Sequence, residues 1–212
     1  MDLKSQFRCD GSDGYLAWLD NTLEIRETAN FDLDSKYDFK VFDDPNELRR
    51  VIEEKNNINN KSRLVAGYCW NWISEGKNKT DVYDITIPEY DFGMSWNLGN
   101  SSTWAIDKGS INEAGCIHTC QGLEFDYIGV IIGDDMRYEN GHIVTDYSKR
   151  AKTDQSLKGI NKIAKEQGQD EANTIADMII KNTYKTLMTR GMKGCYVYCT
   201  DKKLSEYFKS QR

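Results

Sequence analysis

A polar turn stands directly before the most apolar run of the chain, and its residue types suit ligand binding better than packing. The turn is 118-HTCQGLE-124, and the apolar run is 127-YIGVIIG-133. Gly122 has no side chain, so a ligand can approach its backbone closely, while Gln121 and Glu124 offer side-chain hydrogen bonds. A strand alone does not need such a turn. The polar turn, residues 118–124, is therefore a candidate binding site.

A second candidate is Arg190, which follows Thr189 at the end of a helical pattern and comes just before the run 194-GCYVYC-199. The guanidinium group is planar and permanently charged, and its fork of donors matches the oxygens of a phosphate. Simpler interpretations stay open. Arg190 could interact only with the carboxyl-terminal dipole of its own helix, and Glu124 could be a solvated turn residue.

Metal chemistry is not expected at either place. Cys116, His118 and Cys120 alternate as on a strand, in the order C-x-H-x-C rather than as the C-x(2-4)-C knuckle of structural zinc. Asp134 and Asp135 are interpreted as loop acids. A stand-alone nuclease would need an ordered carboxylate motif, which the chain lacks, although Asp134, Asp135 and Asp154 are the acids it would use.

The elements that must position these groups alternate between strand and helix patterns. Predicted strands cover 63–70, 82–87, 127–133 and 194–199. Predicted helices begin after 12-SD-13 and at Asp44-Pro45, and two more cover 170–191 and 201–208. This order predicts an α/β fold, with an open, mainly parallel sheet and helices on both faces. Such sheets bind ligands at the carboxyl ends of their strands, so we expect the polar turn at that edge.

The 212 residues show no linker or repeat and are interpreted as one domain, 1–212, with a polar excursion from the core at 134–168. No run approaches the roughly 18 to 20 apolar residues of a membrane span, and no secretory signal precedes the six cysteines. We therefore predict a cytoplasmic protein with reduced thiols. The net charge of −6 argues against a general nucleic-acid coat, although basic residues at 149–152 and 181–193 allow a local basic face.

These residues resemble a known family. The string 117-IHTCQGLEFDYIGVII-132 is similar to motif V of superfamily 1 DNA/RNA helicases, and 182-NTYKTLMTRGMKGCYVYC-199 is similar to motif VI. The start, 5-SQFRCDGSDGY-15, resembles the motif IV region. Taken together, the chain resembles the carboxyl-terminal half, the second RecA-like domain, of the Schlafen-type P-loop helicase-like ATPases of bacteria, a family of largely unassigned biological function.

The resemblance implies a role for each matching residue, because the second RecA-like domain closes over a nucleotide held by the first. Arg190 and Arg8 would reach the γ-phosphate, where an arginine stabilises charge on the transferring group. Glu124 would accept hydrogen bonds from the ribose hydroxyls. The implied nucleotide-binding residues are Glu124, Gly122 and Gln121. The implied contacts with single-stranded DNA or RNA are those of His118, Thr119 and Gln121.

The chain departs from the family pattern at one point, because it contains no G-x-x-x-x-G-K-[ST] phosphate loop. The resemblance then implies a partner, the first RecA-like P-loop domain, in the same chain or a separate one. ATP and Mg²⁺ are expected only in the complete protein, and we expect no ATP hydrolysis from this chain alone. The alternative function is a non-catalytic module that binds nucleic acid or protein and derives from a helicase domain.

Overall fold

The computed structural model describes residues 13–29, 32–33, 35–73, 82–97 and 103–211. The helices are α1 Asp13–Thr22, α2 Pro45–Asn59, α3 Ile160–Glu166, α4 Gln169–Met188 and α5 Lys202–Ser210. The first five strands are β1 Asp38–Phe42, β2 Ser62–Ala66, β3 Ile85–Ile87, β4 Phe92–Trp96 and β5 Glu113–Ala114. The remaining strands are β6 Phe125–Ile132, β7 Met136–Glu139, β8 His142–Thr145 and β9 Gly191–Cys199.

A four-stranded sheet with the order β1-β9-β6-β2 forms the centre, and all its strand pairs are parallel. Two smaller sheets join it, one of β3, β4 and β5 and one formed by the β7-β8 hairpin. The predicted α/β class with a mainly parallel sheet is confirmed.

Alternating side chains on the central strands form two separate cores. On β9, Cys195 and Val197 pack with α1, α4 and α5, whereas Tyr196 and Tyr198 pack with α2 and the β3-β4-β5 sheet. This period of two is the strand geometry expected for a sheet covered on both faces. The predicted placement of helices on both faces is therefore confirmed. None of the described helices is long and apolar enough to cross a membrane.

Local sequence signals account for the helix ends. Asp44 accepts a hydrogen bond from the Asn46 backbone at 2.7 Å and so caps α2, whose first residue is Pro45. Asn60 ends the same helix in the left-handed conformation. Helix α4 ends at Met188, before Gly191, because the chain there already belongs to β9. The prediction that this helix reaches Gly191 was too long by one turn.

Residues 134–168 lie between β6 and α4 and include the β7-β8 hairpin. Asn140 and Gly141 both have positive φ, as the two-residue Asn-Gly turn of a hairpin requires. The segment is anchored more firmly than its polar composition suggested, because Met136 and Ile143 belong to the larger core. Arg150 and Asp135 are also buried and form an ion pair.

The later part of this excursion covers the carboxyl ends of β2 and β6. The Ala151 backbone N–H donates to the Tyr68 carbonyl at 2.9 Å, and that of Lys152 donates to Asn71 Oδ1 at 3.3 Å. Residues 146–157, which we call the strap, therefore lie where a ligand would enter many parallel α/β sheets.

Candidate functional site

The polar turn ends at the opposite edge of the sheet from the one predicted. Gly115 pairs with Val65, the last residue but one of β2, and the chain then returns to begin β6 at Phe125. The end of the turn is consequently at the amino end of β6. The prediction that residues 118–124 lie at the carboxyl edge was wrong, because neither strand direction nor strand order is encoded in the turn itself.

Short-range hydrogen bonds give the turn a defined shape. The backbone N–H groups of Thr119 and Cys120 both donate to the Cys116 carbonyl at 3.1 Å, and Leu123 N–H donates to the Cys120 carbonyl at 3.1 Å. Gly122, between Gln121 and Leu123, has a φ of +78°, and a Cβ there would meet no atom within 4 Å. The open space at Gly122 leaves its backbone accessible to a ligand.

The predicted binding residues of the turn divide into exposed and buried groups. The exposed residues are His118, Gln121, Gly122 and Glu124. Thr119 is buried, and its hydroxyl donates to Asn97 Oδ1 at 2.7 Å. Thr119 therefore shapes the turn in this arrangement, while the exposed residues are available to a ligand.

Arg190 joins the second motif to the first. Its backbone carbonyl accepts from the Phe125 N–H at 2.8 Å, and its Nη1 donates to the Leu123 carbonyl at 3.3 Å. The residue is only 3% exposed. The structure thus brings Arg190 and the polar turn together at the starts of β6 and β9, with the guanidinium against the turn. Arg8, the other predicted catalytic residue, lies outside the described residues.

The cysteines near the turn are packing residues. Cys116 and Cys120 are buried, whereas His118 between them is exposed, so the three side chains do not converge. Burial raises the pKa of Cys120 to about 12, although the nearby Arg190 charge acts in the opposite direction. In the part of the chain that is described, no group of three or more His, Cys, Asp or Glu residues is arranged to hold a metal ion.

The carboxylates considered for a nuclease are also engaged. Arg150 contacts Asp135 at 2.9 Å and Asp154 at 2.6 Å, and both acids are buried. Asp134 is exposed and accepts a hydrogen bond from Thr200. A cation shared by Asp135 and Asp154 would have to displace an arginine, so this geometry counts against the nuclease interpretation.

A buried arginine that the sequence analysis did not single out supports the turn from behind. Arg63 is 0% exposed, and its Nη2 donates to the carbonyls of Ala105 and Asp107, each at 2.9 Å. The segment held in this way carries Trp104, whose ring packs edge-on against Phe125 at 5.8 Å between centroids. The only sequence signal was a charged residue inside a predicted strand.

Asp126, the residue after Phe125, is a further polar group at this edge that the sequence analysis did not single out. Its Oδ2 lies 2.8 Å from both Lys193 Nζ and Asn59 Nδ2. The hydrogen bond from Lys193 is the main cause that lowers the pKa of this carboxyl group. Asp126 therefore links the starts of β6 and β9 to the end of α2.

Comparisons with known proteins support a helicase-like domain in general. The sequence model of a family described as "Schlafen group 3, DNA/RNA helicase domain" matches residues 1–201. An uncharacterized protein of Saccharomyces cerevisiae, YPL245W, is 26% identical over 220 residues, which cover 96% of this chain and 46% of the yeast protein. The chain thus spans about half the length of that relative, whose yeast origin does not confirm a bacterial family. No solved structure matches.

Proposed function

The chain belongs to the Schlafen group 3 DNA/RNA helicase domain family, and from this premise we propose that it is the second motor domain of an ATP-dependent nucleic-acid helicase or remodelling ATPase. It would close over a nucleotide held by a P-loop domain and form part of the path of a nucleic-acid strand. The observation that carries the proposal is the contact of Arg190 with the polar turn, since it joins the two helicase-like motifs at one edge of the sheet.

This contact offers a physical route from nucleotide to nucleic acid. A phosphate that drew the Arg190 guanidinium away from the Leu123 carbonyl would remove a hydrogen bond from the polar turn. The same turn exposes His118 and Gln121, the proposed contacts to the nucleic-acid strand. We propose that Arg190 acts in this way as the arginine that reaches the γ-phosphate, and Arg8 is proposed as a second one.

The chain would supply contacts from only one side of the nucleotide. Glu124, Gly122 and Gln121 are exposed and are the proposed contacts to the ribose and its neighbourhood. A phosphate loop that would hold the phosphates and help to bind Mg²⁺ is absent from the sequence. ATP and Mg²⁺ are therefore assigned to the proposed P-loop partner domain.

The test is ATP hydrolysis, measured with the chain alone and together with its P-loop domain in one polypeptide. The chain alone should show no turnover above background. In the joined protein, Arg190→Lys should lower turnover by about 10³-fold or more, because lysine lacks the planar fork. Turnover by the isolated chain that Arg190→Lys abolishes would contradict the proposal.

The burial of Arg190 favours one alternative, a non-catalytic module that kept the fold and binds nucleic acid or protein. In that case the guanidinium is a permanent support of the polar turn and never contacts phosphate. Arg190→Lys would then destabilise the isolated chain, and nucleic-acid binding by the joined protein would be indifferent to ATP. A strand affinity that changes with ATP in the joined protein, and loses that response in Arg190→Lys, excludes the alternative.

A further inference from the structure

Helix α2 covers only part of its face of the central sheet. Its Ile52 packs so closely on β6 that a Cβ at Gly129 would come within 2.8 Å of it. Beside the helix, Tyr196 on β9 is buried in the smaller core, whereas Lys40 on β1 reaches solvent. The surface of this part of the sheet is therefore formed by polar and aromatic side chains.

Lysines and tyrosines lie together beside α2, in an area that we call the lysine–tyrosine face. Its accessible members are Lys40, Lys55, Lys61, Lys193 and Tyr127, and the ring of Tyr196, which is buried, packs against Tyr127. Lys55 Nζ lies 4.0 Å from the ring centroid of Tyr127, and Lys40 Nζ lies 5.0 Å from that of Tyr196. The two rings are 5.6 Å apart. Two ammonium groups and two aromatic rings thus lie next to one another on this side of the sheet.

A glycine makes this arrangement possible. Gly194 pairs with Tyr127 on one side and Asp38 on the other, and a Cβ at Gly194 would come within 2.9 Å of the tyrosine ring. The ring therefore lies close to the β9 backbone, with its edge beside the start of β1. Tyr127 is half-buried, so part of it remains accessible.

The charge of the face is opposite to that of the whole chain. Its two carboxylates are already engaged, since Asp38 lies 3.3 Å from Lys40 and Asp126 lies 2.8 Å from Lys193. Within the described part of the chain, neither Lys55 nor Lys61 makes an ion pair. Among the described residues, the face therefore keeps two positive charges outside any ion pair, on a protein whose net charge is −6.

We propose that the lysine–tyrosine face binds a single-stranded nucleic acid, with its lysines on the phosphates and Tyr127 against a base. The inference rests on the proposed function and adds a second contact area to the polar turn, from which Tyr127 is separated by two residues. Phosphates complement the excess positive charge. An aromatic ring between cations suits an unpaired base, because a base in a duplex is not free to stack on a side chain.

The test is the affinity of the 212-residue chain for fluorescent dT20 and rU20 oligonucleotides, measured by anisotropy at about 50 and about 200 mM salt. The variant Lys55→Gln/Lys61→Gln should bind about tenfold more weakly at the lower salt. The slope of log affinity against log salt should also become shallower by about 1.4, at about 0.7 per phosphate contact on a single strand. The matched control, Lys158→Gln/Lys203→Gln, removes two other exposed lysines and the same charge.

Tyr127 is tested separately from charge. Tyr127→Phe keeps the ring and should bind like the wild type, whereas Tyr127→Leu should bind about five- to a hundredfold more weakly. Melting temperatures of both variants exclude unfolding as the cause. The inference would be overturned if Lys55→Gln/Lys61→Gln and Lys158→Gln/Lys203→Gln lowered the affinity equally, or if the wild type did not bind at low salt.

One further variant separates this inference from the proposed function. If Gln121→Ala weakens oligonucleotide binding and Lys55→Gln/Lys61→Gln does not, the inference about the lysine–tyrosine face is wrong. The polar turn alone then binds the nucleic acid. If Lys55→Gln/Lys61→Gln weakens binding while the joined protein fails the ATP hydrolysis test, the lysine–tyrosine face is supported and the proposed motor function is contradicted. A change in self-association without a change in strand affinity would identify a protein interface instead.

Discussion

Arg150 Nη1 lies 2.9 Å from Asp135 Oδ2, and the two side chains are only 2% and 0% exposed. A second carboxylate, that of Asp154, accepts from the same guanidinium, and the Tyr184 hydroxyl donates to Asp135. These contacts tie the strap to the end of β6 and to α4. The network is fully buried, so its charges depend on one another rather than on water.

We expect Arg150→Met to lower the free energy of unfolding by about 3–5 kcal/mol, because it leaves two buried carboxylates without their cation. The measurement is urea denaturation. Arg49→Met is the control, since Arg49 pairs with Glu53 on α2, away from the strap, while both side chains remain partly exposed. That change should cost less than about 1 kcal/mol. Equal midpoints for the two variants would show that the buried network does not hold the strap.

Gly191, directly after Arg190, leaves no space for a side chain. A Cβ there would lie 2.1 Å from the backbone oxygen of Gly194, which cannot move without disturbing β9. Gly191→Ala should therefore lower the free energy of unfolding by about 1–3 kcal/mol. At Gly109 the nearest atom to an added Cβ is Asp107 Oδ1 at 3.5 Å, so Gly109→Ala should be tolerated. Thermal denaturation of both variants checks the difference.

The parts of the fold predictable from sequence are those in which neighbouring residues determine the structure. Asp44 and Pro45 set the start of α2, and Asn140 with Gly141 sets the hairpin turn. The close approach of Arg190 to the polar turn could be anticipated only from the resemblance to the helicase motifs. No local rule joins residues so far apart in sequence.

The edge of the sheet on which the polar turn lies could not be predicted, because it depends on how β5 and β6 are placed beside β2. The same holds for Lys55 and Tyr127, which look like a helix surface residue and a strand residue until the strands are aligned. Asp135 and Arg150 stand in a polar stretch that composition alone assigns to the surface. Burial of paired charges leaves no pattern in the sequence.

Arg63 provides a test of the support behind the polar turn. Its guanidinium donates to Asn56 Oδ1 at 2.7 Å and to Ser110 Oγ at 2.8 Å, besides the backbone carbonyls of residues 105 and 107. Lysine cannot reach acceptors in so many directions, and each buried acceptor left without a donor costs about 1–3 kcal/mol. Arg63→Lys should therefore cost about 3 kcal/mol or more.

The loss should be concentrated in the segment that Arg63 holds. Limited trypsin digestion should cleave Arg63→Lys faster than the wild type after Lys108, which is exposed. Arg49→Lys, which alters an arginine paired with Glu53 on the surface of α2, should leave the digestion unchanged. If the two variants are cut at the same rate, the network of Arg63 does not support the segment behind the turn.

The Cys120 thiol makes the stability of the site depend on alkaline pH. Its pKa rises from 9.0 to about 12 on burial, so the folded state keeps the proton while the unfolded state loses it above about pH 9. The stabilisation is fully present below pH 9 and is lost as pH rises from there toward about 12. Between pH 9 and about pH 10.5 the wild type should therefore lose about 2 kcal/mol more than Cys120→Ala, which has no group to titrate. Urea denaturation of both proteins at these two pH values measures the difference, and parallel losses would mean that the thiol ionises without unfolding the turn.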